Sequence, residues 1–248
     1  MKRLTSLTTF VGLLVASGAY AQVSTINSAA VTPRALNDVP TAPLTTVIDY
    51  PSRISFAEQN VSGTGFANRD VWHFSNNGGS AAYPFQIYDY FQATMSVTLT
   101  GDPTSTLRKE AGFVFNNPLN DGGEFILDTD AHEVVAFGGF LPFYAFPSTF
   151  NSGGTVVMGI TYENVNGVNS IMYTANGVNS PWLPLSNTEH GVINDTTIGG
   201  YFQIVQDPNV PGNSGSAVFQ NITIGTVPEP STAALLGLGL LALLFRRR

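Results

Sequence analysis

The chain has 248 residues, 43% hydrophobic and 11% charged, with 25 Gly, 15 Pro and no cysteine. That length supports one domain with a real core, and the lack of cysteine excludes a small secreted module held by disulfides. Five of the ten Lys and Arg lie at the two ends (Lys2, Arg3, Arg246, Arg247 and Arg248); residues 22–245 set five cations against all 17 acids, net −12, a surface that repels phosphate backbones and excludes nucleic acid as a partner.

The first 21 residues, MKRLTSLTTFVGLLVASGAYA, run from two cations through a short apolar stretch to small residues at Ala19 and Ala21. That order predicts a secretory signal peptide cut by signal peptidase between Ala21 and Gln22. The apolar stretch is too short to span a bilayer, so the mature chain is expected to work outside the cytoplasm. Residues 22–52 are rich in Thr, Pro, Ala and Ser without strong periodicity, which predicts an extended lead-in with one edge strand at 45–48.

From residue 53 to 226 the pattern becomes short β-type runs separated by turn residues, among them FQATMSVTLTG (91–101), EFILDTD (124–130), EVVAFGGF (133–140), TVVMGITYE (155–163) and GGYFQIVQD (199–207). Met95, Val97 and Leu99 alternate with Thr94, Ser96 and Thr98, the period of a half-buried antiparallel strand. No helical periodicity appears in this region. The expected fold is all-β, a single antiparallel β-sandwich or jelly roll. NGVNS at 166–170 and again at 176–180 places two Asn-Gly pairs ten residues apart, which predicts two tight hairpins in a meander.

The succession DVWHFSNNGG, AGFVFNN, EFILDTDAHEVVAFGG, GGYFQIVQD and SAVFQNITI resembles the concanavalin A-like lectin/glucanase jelly roll over about 155 residues. The resemblance implies a concave sheet face that takes glycans or hydrolyses polysaccharides. Glucanases of that fold carry an E-x-D-x-x-E strand, onto which Asp128, Asp130 and Glu133 fall, with Asp where the family has its nucleophilic Glu. The same DTDAHE stretch also reads as a hairpin tip, since Asp suits a turn.

Three further constellations stand out. FNNPLNDGGE (115–124) crowds oxygen donors, but its Asn, Asp and Gly are ordinary loop formers, so no cofactor or metal is expected, with calcium at Asn117, Asn120 and Asp121, Asn116 and Glu124 beside them, as the weaker alternative. PGNSGSAVF (211–219) is similar to the nucleophile segment of trypsin-like proteases at Ser214, but neither His73 nor His132 stands in the matching context, and a Gly/Ser turn is the simpler reading. Trp72, Trp182, Tyr88 and Tyr90 could stack on sugars or fill the core.

The chain ends VPEPSTAALLGLGLLALLFRRR. The apolar run 231–245 reaches only about 22 Å as a helix, short of the ~30 Å hydrocarbon core. Pro228, Glu229 and Pro230, the apolar run and Arg246, Arg247 and Arg248 together resemble the PEP-CTERM sorting signal of Gram-negative bacteria that make exopolysaccharide and form biofilms. The resemblance implies a short transmembrane helix with the arginines cytoplasmic, transient residence in the inner membrane, and cleavage near the triplet by an exosortase. The expected product is a non-enzymatic surface or matrix protein in a structural or glycan-binding role, with exopolysaccharide as a partner. A glycoside hydrolase using Asp128, Asp130 and Glu133 is the alternative.

Overall fold

A strand buried on one face alternates inward and outward side chains, and the burial of 91–101 follows that period: Phe91, Ala93, Met95, Val97 and Leu99 are buried while Gln92 and Thr100 are exposed. In the computed structural model, residues 23–101, 106–117, 120–139, 141–185, 193–210 and 212–227 are described. The expected cleavage residues Ala19, Ala21 and Gln22 lie outside the described residues. So do Pro228, Glu229, Pro230, Arg246, Arg247, Arg248 and the helix expected at 231–245. Among the described residues no helix is long and apolar enough to cross a membrane.

After a three-residue 3-10 turn (Val23–Thr25) the described chain is strand and turn throughout. In order the strands are β1 (Ser28–Asn37), β2 (Leu44–Asp49), β3 (Arg53–Val61), β4 (Ala67–Ser75), β5 (Pro84–Phe85), β6 (Phe91–Gly101), β7 (Lys109–Asn117) and β8 (Asn120–Asp128). There follow β9 (Glu133–Phe137), β10 (Tyr144–Ala145), β11 (Thr155–Val165), β12 (Val168–Ala175), β13 (Val178–Asn179), β14 (Leu183–Pro184), β15 (Thr196–Val205) and β16 (Asn213–Thr226). Sheet A has the order β1-β4-β15-β7-β8-β9-β10, with β5 on β15; sheet B has the order β13-β12-β11-β6-β16-β3-β2, with β14 on β12. Every pairing is antiparallel, so this is a two-sheet β-sandwich of jelly-roll type.

The segment read as a lead-in supplies two strands, β1 on the edge of sheet A and β2 on the edge of sheet B. Both Asn-Gly pairs turn hairpins, with positive φ at Asn166 and Gly167 between β11 and β12, and at Asn176 and Gly177 between β12 and β13.

The core fills the space between the sheets. Trp72 of β4 is fully buried and meets Phe74 edge-on at 5.3 Å, and Phe219 of sheet B at 5.9 Å. Beside it on β15 stands Gly200, where an added Cβ would lie 2.4 Å from the indole Nε1. Of the four aromatics that could have stacked on sugars, Trp72 and Tyr90 are core, Trp182 is half-buried and Tyr88 is exposed.

At the β1–β3 end of the sandwich the interior is ionic. Arg34 stands in the left-handed region (φ 57) at a β1 bulge and turns its guanidinium between the sheets. Its Nε lies 2.8 Å from Glu58 Oε1, Nη2 donates to Glu58 Oε2 at 3.0 Å, and its backbone N–H donates to Asp70 Oδ1 at 2.8 Å. Burial pushes the carboxyls of Glu58 and Asp70 up, and Arg34 opposes that shift at both.

Replacing Gly200 by Ala is expected to cost about 2–3 kcal/mol, because the methyl group overlaps the Trp72 ring. Gly225→Ala, where a Cβ meets nothing within 4 Å, is expected to stay within about 0.5 kcal/mol of the parent. Urea denaturation midpoints check both.

Candidate functional site

The parity that turns Trp72, Phe113, Phe125 and Phe202 into the core turns their strand neighbours outward on sheet A. Those neighbours form a second apolar cluster of Val71, Val114, Ile126, Val135 and Tyr201, with Phe137 packed against it. Along one margin runs a polar row set by the register. Gln203 of β15 pairs with Arg69 of β4 and with Glu110 of β7, Glu110 pairs with Asp128 of β8, and Asp128 pairs with Glu133 of β9.

Neighbours in this row are hydrogen-bonded. Arg69 Nε donates to Gln203 Oε1 at 2.8 Å, and Gln203 Nε2 donates to Glu110 Oε2 at 3.0 Å. Tyr201 Oη donates to the same Glu110 oxygen at 2.9 Å, while Arg108 Nε holds Oε1 at 3.0 Å. Arg69 lies over the Tyr201 ring, 5.0 Å from its centroid, and reaches Glu124 at 3.5 Å. Tyr201, Gln203 and Glu110 are buried, whereas Arg69, Glu124 and Phe137 are half-exposed. Burial raises the Tyr201 phenol well above its ordinary range, and the Glu110 carboxylate adds to that, so the hydroxyl stays a donor. Burial likewise pushes the Glu124 carboxyl up, against Arg69.

Toward the far margin, His73 Nε2 lies 2.7 Å from Asn116 Nδ2. The ring is buried, which pushes the imidazole down to about 4. Accepting Asn116's amide hydrogen there suits the neutral form.

The sequence-derived candidates take the following places. Asp128 ends β8, Asp130 stands in the turn and Glu133 begins β9. Asp128 Oδ1 accepts the backbone N–H groups of Asp130 (2.8 Å) and Ala131 (3.4 Å), and Asp130 Oδ1 accepts that of Ala131 (2.8 Å). Burial and Asp130 push the Asp128 carboxyl up, and Asp130 is held down by its hydrogen bond with Asp128. Of the calcium candidates, Asn117 donates to Thr196 Oγ1 at 2.8 Å, and the side chains of Asn120 and Asp121 lie outside the described residues. Among the described residues no three or more Asp, Glu or His side chains converge as metal ligands. Ser214 Oγ accepts the N–H of Asn60 and donates to Gly212 O, while His132 bonds Phe150 O, so no triad forms around it. Arg69, Glu110, Tyr201 and Gln203 were not singled out from sequence. Their signal was present as polar residues alternating with core positions in strands otherwise apolar.

Residues 226–248 match the family model of the PEP-CTERM protein-sorting motif, and the chain ends in that motif. No curated protein matches the chain in sequence. Among solved structures it is similar to the family 7 alginate lyase A1-II' in complex with substrate, at TM-score 0.50 and 14% identity over 74% of this chain and 83% of that one. It is also similar to an endo-1,3-beta-glucanase from Streptomyces sioyaensis, at TM-score 0.47 and 8% identity over 75% and 90%. The carbohydrate-binding module CBM66 from Bacillus subtilis gives TM-score 0.42 and 12% identity over 75% and 94%. At these identities the alginate lyase likeness establishes a shared fold.

His73 binds its proton less readily in the fold (about 4) than in the unfolded chain (ordinarily 6.5), so its stabilising share is complete above pH 6.5 and is lost as pH falls toward 4. Relative to His73→Gln, the parent is expected to lose about 2–3 kcal/mol across that window. Urea titrations of both proteins at pH 7.5, 5.5 and 4 measure the difference, in which the carboxylate contributions cancel.

Proposed function

We propose that this chain is an exported glycan-binding β-sandwich of a Gram-negative cell surface or extracellular matrix, delivered through its C-terminal motif by an exosortase. The outward face of sheet A takes the glycan. The observation that carries this reading is the row Arg69–Gln203–Glu110 with Tyr201. A sheet face that only met water would carry separate solvated charges, whereas here an arginine lies over a tyrosine ring and belongs to a hydrogen-bonded row that crosses three strands. Such a group presents fixed donors beside the apolar surface of Phe137, the combination that orients a sugar ring. The likeness to a lyase held with its polysaccharide substrate supports the same reading.

We favour binding over hydrolysis because Asp128 and Asp130 each commit one carboxylate oxygen to backbone N–H groups at the hairpin tip. The motif at 226–248 begins where β16 ends at Thr226, so the sandwich is complete before the exosortase signal starts. Pro228, Glu229 and Pro230 serve as its recognition residues, and Arg246, Arg247 and Arg248 hold the tail on the cytoplasmic side until cleavage.

Two measurements test this function. Affinity electrophoresis of the exported protein against a polysaccharide panel that includes alginate and β-1,3-glucan is expected to show retention on at least one polymer. Arg69→Ala is expected to weaken that retention tenfold or more, the loss of a charged hydrogen bond worth about 1.5–3 kcal/mol. No retention on any polymer, or full retention by the variant, contradicts the assignment. Intact mass of the exported protein is expected to show a C-terminus near residues 228–230; a mature protein still ending in Arg248 contradicts exosortase processing.

A further inference from the structure

We propose that the outward face of sheet B is an interface between two copies of this chain, packed sheet against sheet. On the middle strands β6 and β16, and on β11 as far as Thr161, the outward positions are uncharged: Thr, Ser, Gln, Val and Gly, with Asn221 exposed at the β16 bulge. Charge reaches this face at its borders, where Asp49 of β2 lies opposite Arg53 of β3, and Glu163 stands near the end of β11. In a chain whose residues 22–245 carry −12, two copies repel one another over most of their surface. A face without charge is where they can meet.

Four hydroxyls of this face pair sideways, within the sheet. Thr94 Oγ1 pairs with Thr223 Oγ1 across β6 and β16, and Thr98 Oγ1 with Thr155 Oγ1 across β6 and β11, both at 2.6 Å. Each pair spends one hydroxyl hydrogen laterally and leaves the other hydroxyl to donate outward, so two sheets of this composition can satisfy one another. The exposed valines add to this: Val157 is 50% exposed and Val47 39%.

The dimensions suit a dimer. Six strands from β2 to β12 at about 4.8 Å spacing, with β6 about 34 Å long, give a face of roughly 700–800 Å². That is close to the ~800 Å² each partner contributes to a stable interface. A two-fold axis between β6 and β16 sets the same patch against itself, with the sheets about 10 Å apart.

The protein recovered from exporting cells, shortened at its C-terminus by the processing proposed above, is expected to sediment at twice its monomer mass. Thr98→Lys, which places a cation at a half-exposed central position, is expected to halve that mass while leaving the β-sheet circular dichroism unchanged. Because the chain has no cysteine, Ser96→Cys supplies a lone thiol in the middle of the face, and Val168→Cys one at the β11–β12 turn. Ser96→Cys is expected to give a reducible cross-linked dimer, and Val168→Cys to remain uncross-linked. A monomeric parent, a Thr98→Lys protein that stays dimeric, or cross-linking through Val168→Cys in place of Ser96→Cys overturns the proposal.

Discussion

Trp72 sits between the two sheets and decides the rest. Its indole touches Phe74 on its own strand and Phe219 on the opposite sheet, and the space it occupies exists because residue 200 lacks a side chain. With Trp72 inward, the period of two sends Val71 and His73 outward; with Phe202 inward, Tyr201 and Gln203 follow. A slip of one residue in β4 or β15 would bury Gln203 in the core and strand Trp72 in water. The polar row of the candidate site is therefore a consequence of how the core closes. Without a disulfide in the chain, that closure rests on packing and hydrogen bonds.

Two ionic groups sit in this protein, and they differ in kind. The Arg34–Glu58 pair lies between the sheets and joins β1 of sheet A to β3 of sheet B. Removing one partner there leaves a charge in the core, an error of about 3–5 kcal/mol. The Arg69–Gln203–Glu110 row lies on an outward face, with its arginine half-exposed over a buried tyrosine. Both constrain the fold, and the second also places a half-exposed arginine on the outward face of sheet A.

The two outward faces divide the work between them. Sheet A offers a hydrogen-bonded polar row beside an apolar strip, while sheet B offers an uncharged surface crossed by two threonine pairs. Two copies joined through sheet B turn their sheet A faces in opposite directions. Under the two proposals such a pair would hold two polymer strands at once, with an avidity above that of either face alone. A matrix component with modest affinity per site gains most from that arrangement.

The sequence by itself determined the all-β class, the two Asn-Gly hairpins and the sorting motif, because each depends on chemistry local to a few residues: a period of two, a pair that tolerates positive φ, and a short linear signal. The carboxylates of DTDAHE show the limit of that locality, since composition allowed both a glucanase strand and a turn, and hydrogen bonds to backbone N–H groups appear only once the hairpin is closed. The tertiary structure alone decided that residues 28–37 join sheet A, because their partner β4 stands some 40 residues away. It alone brought Arg69, Glu110 and Gln203 together, residues separated by up to 134 positions. Cross-strand register is a relation between distant segments, fixed by which side chains fill the shared core, and no single stretch of sequence contains it.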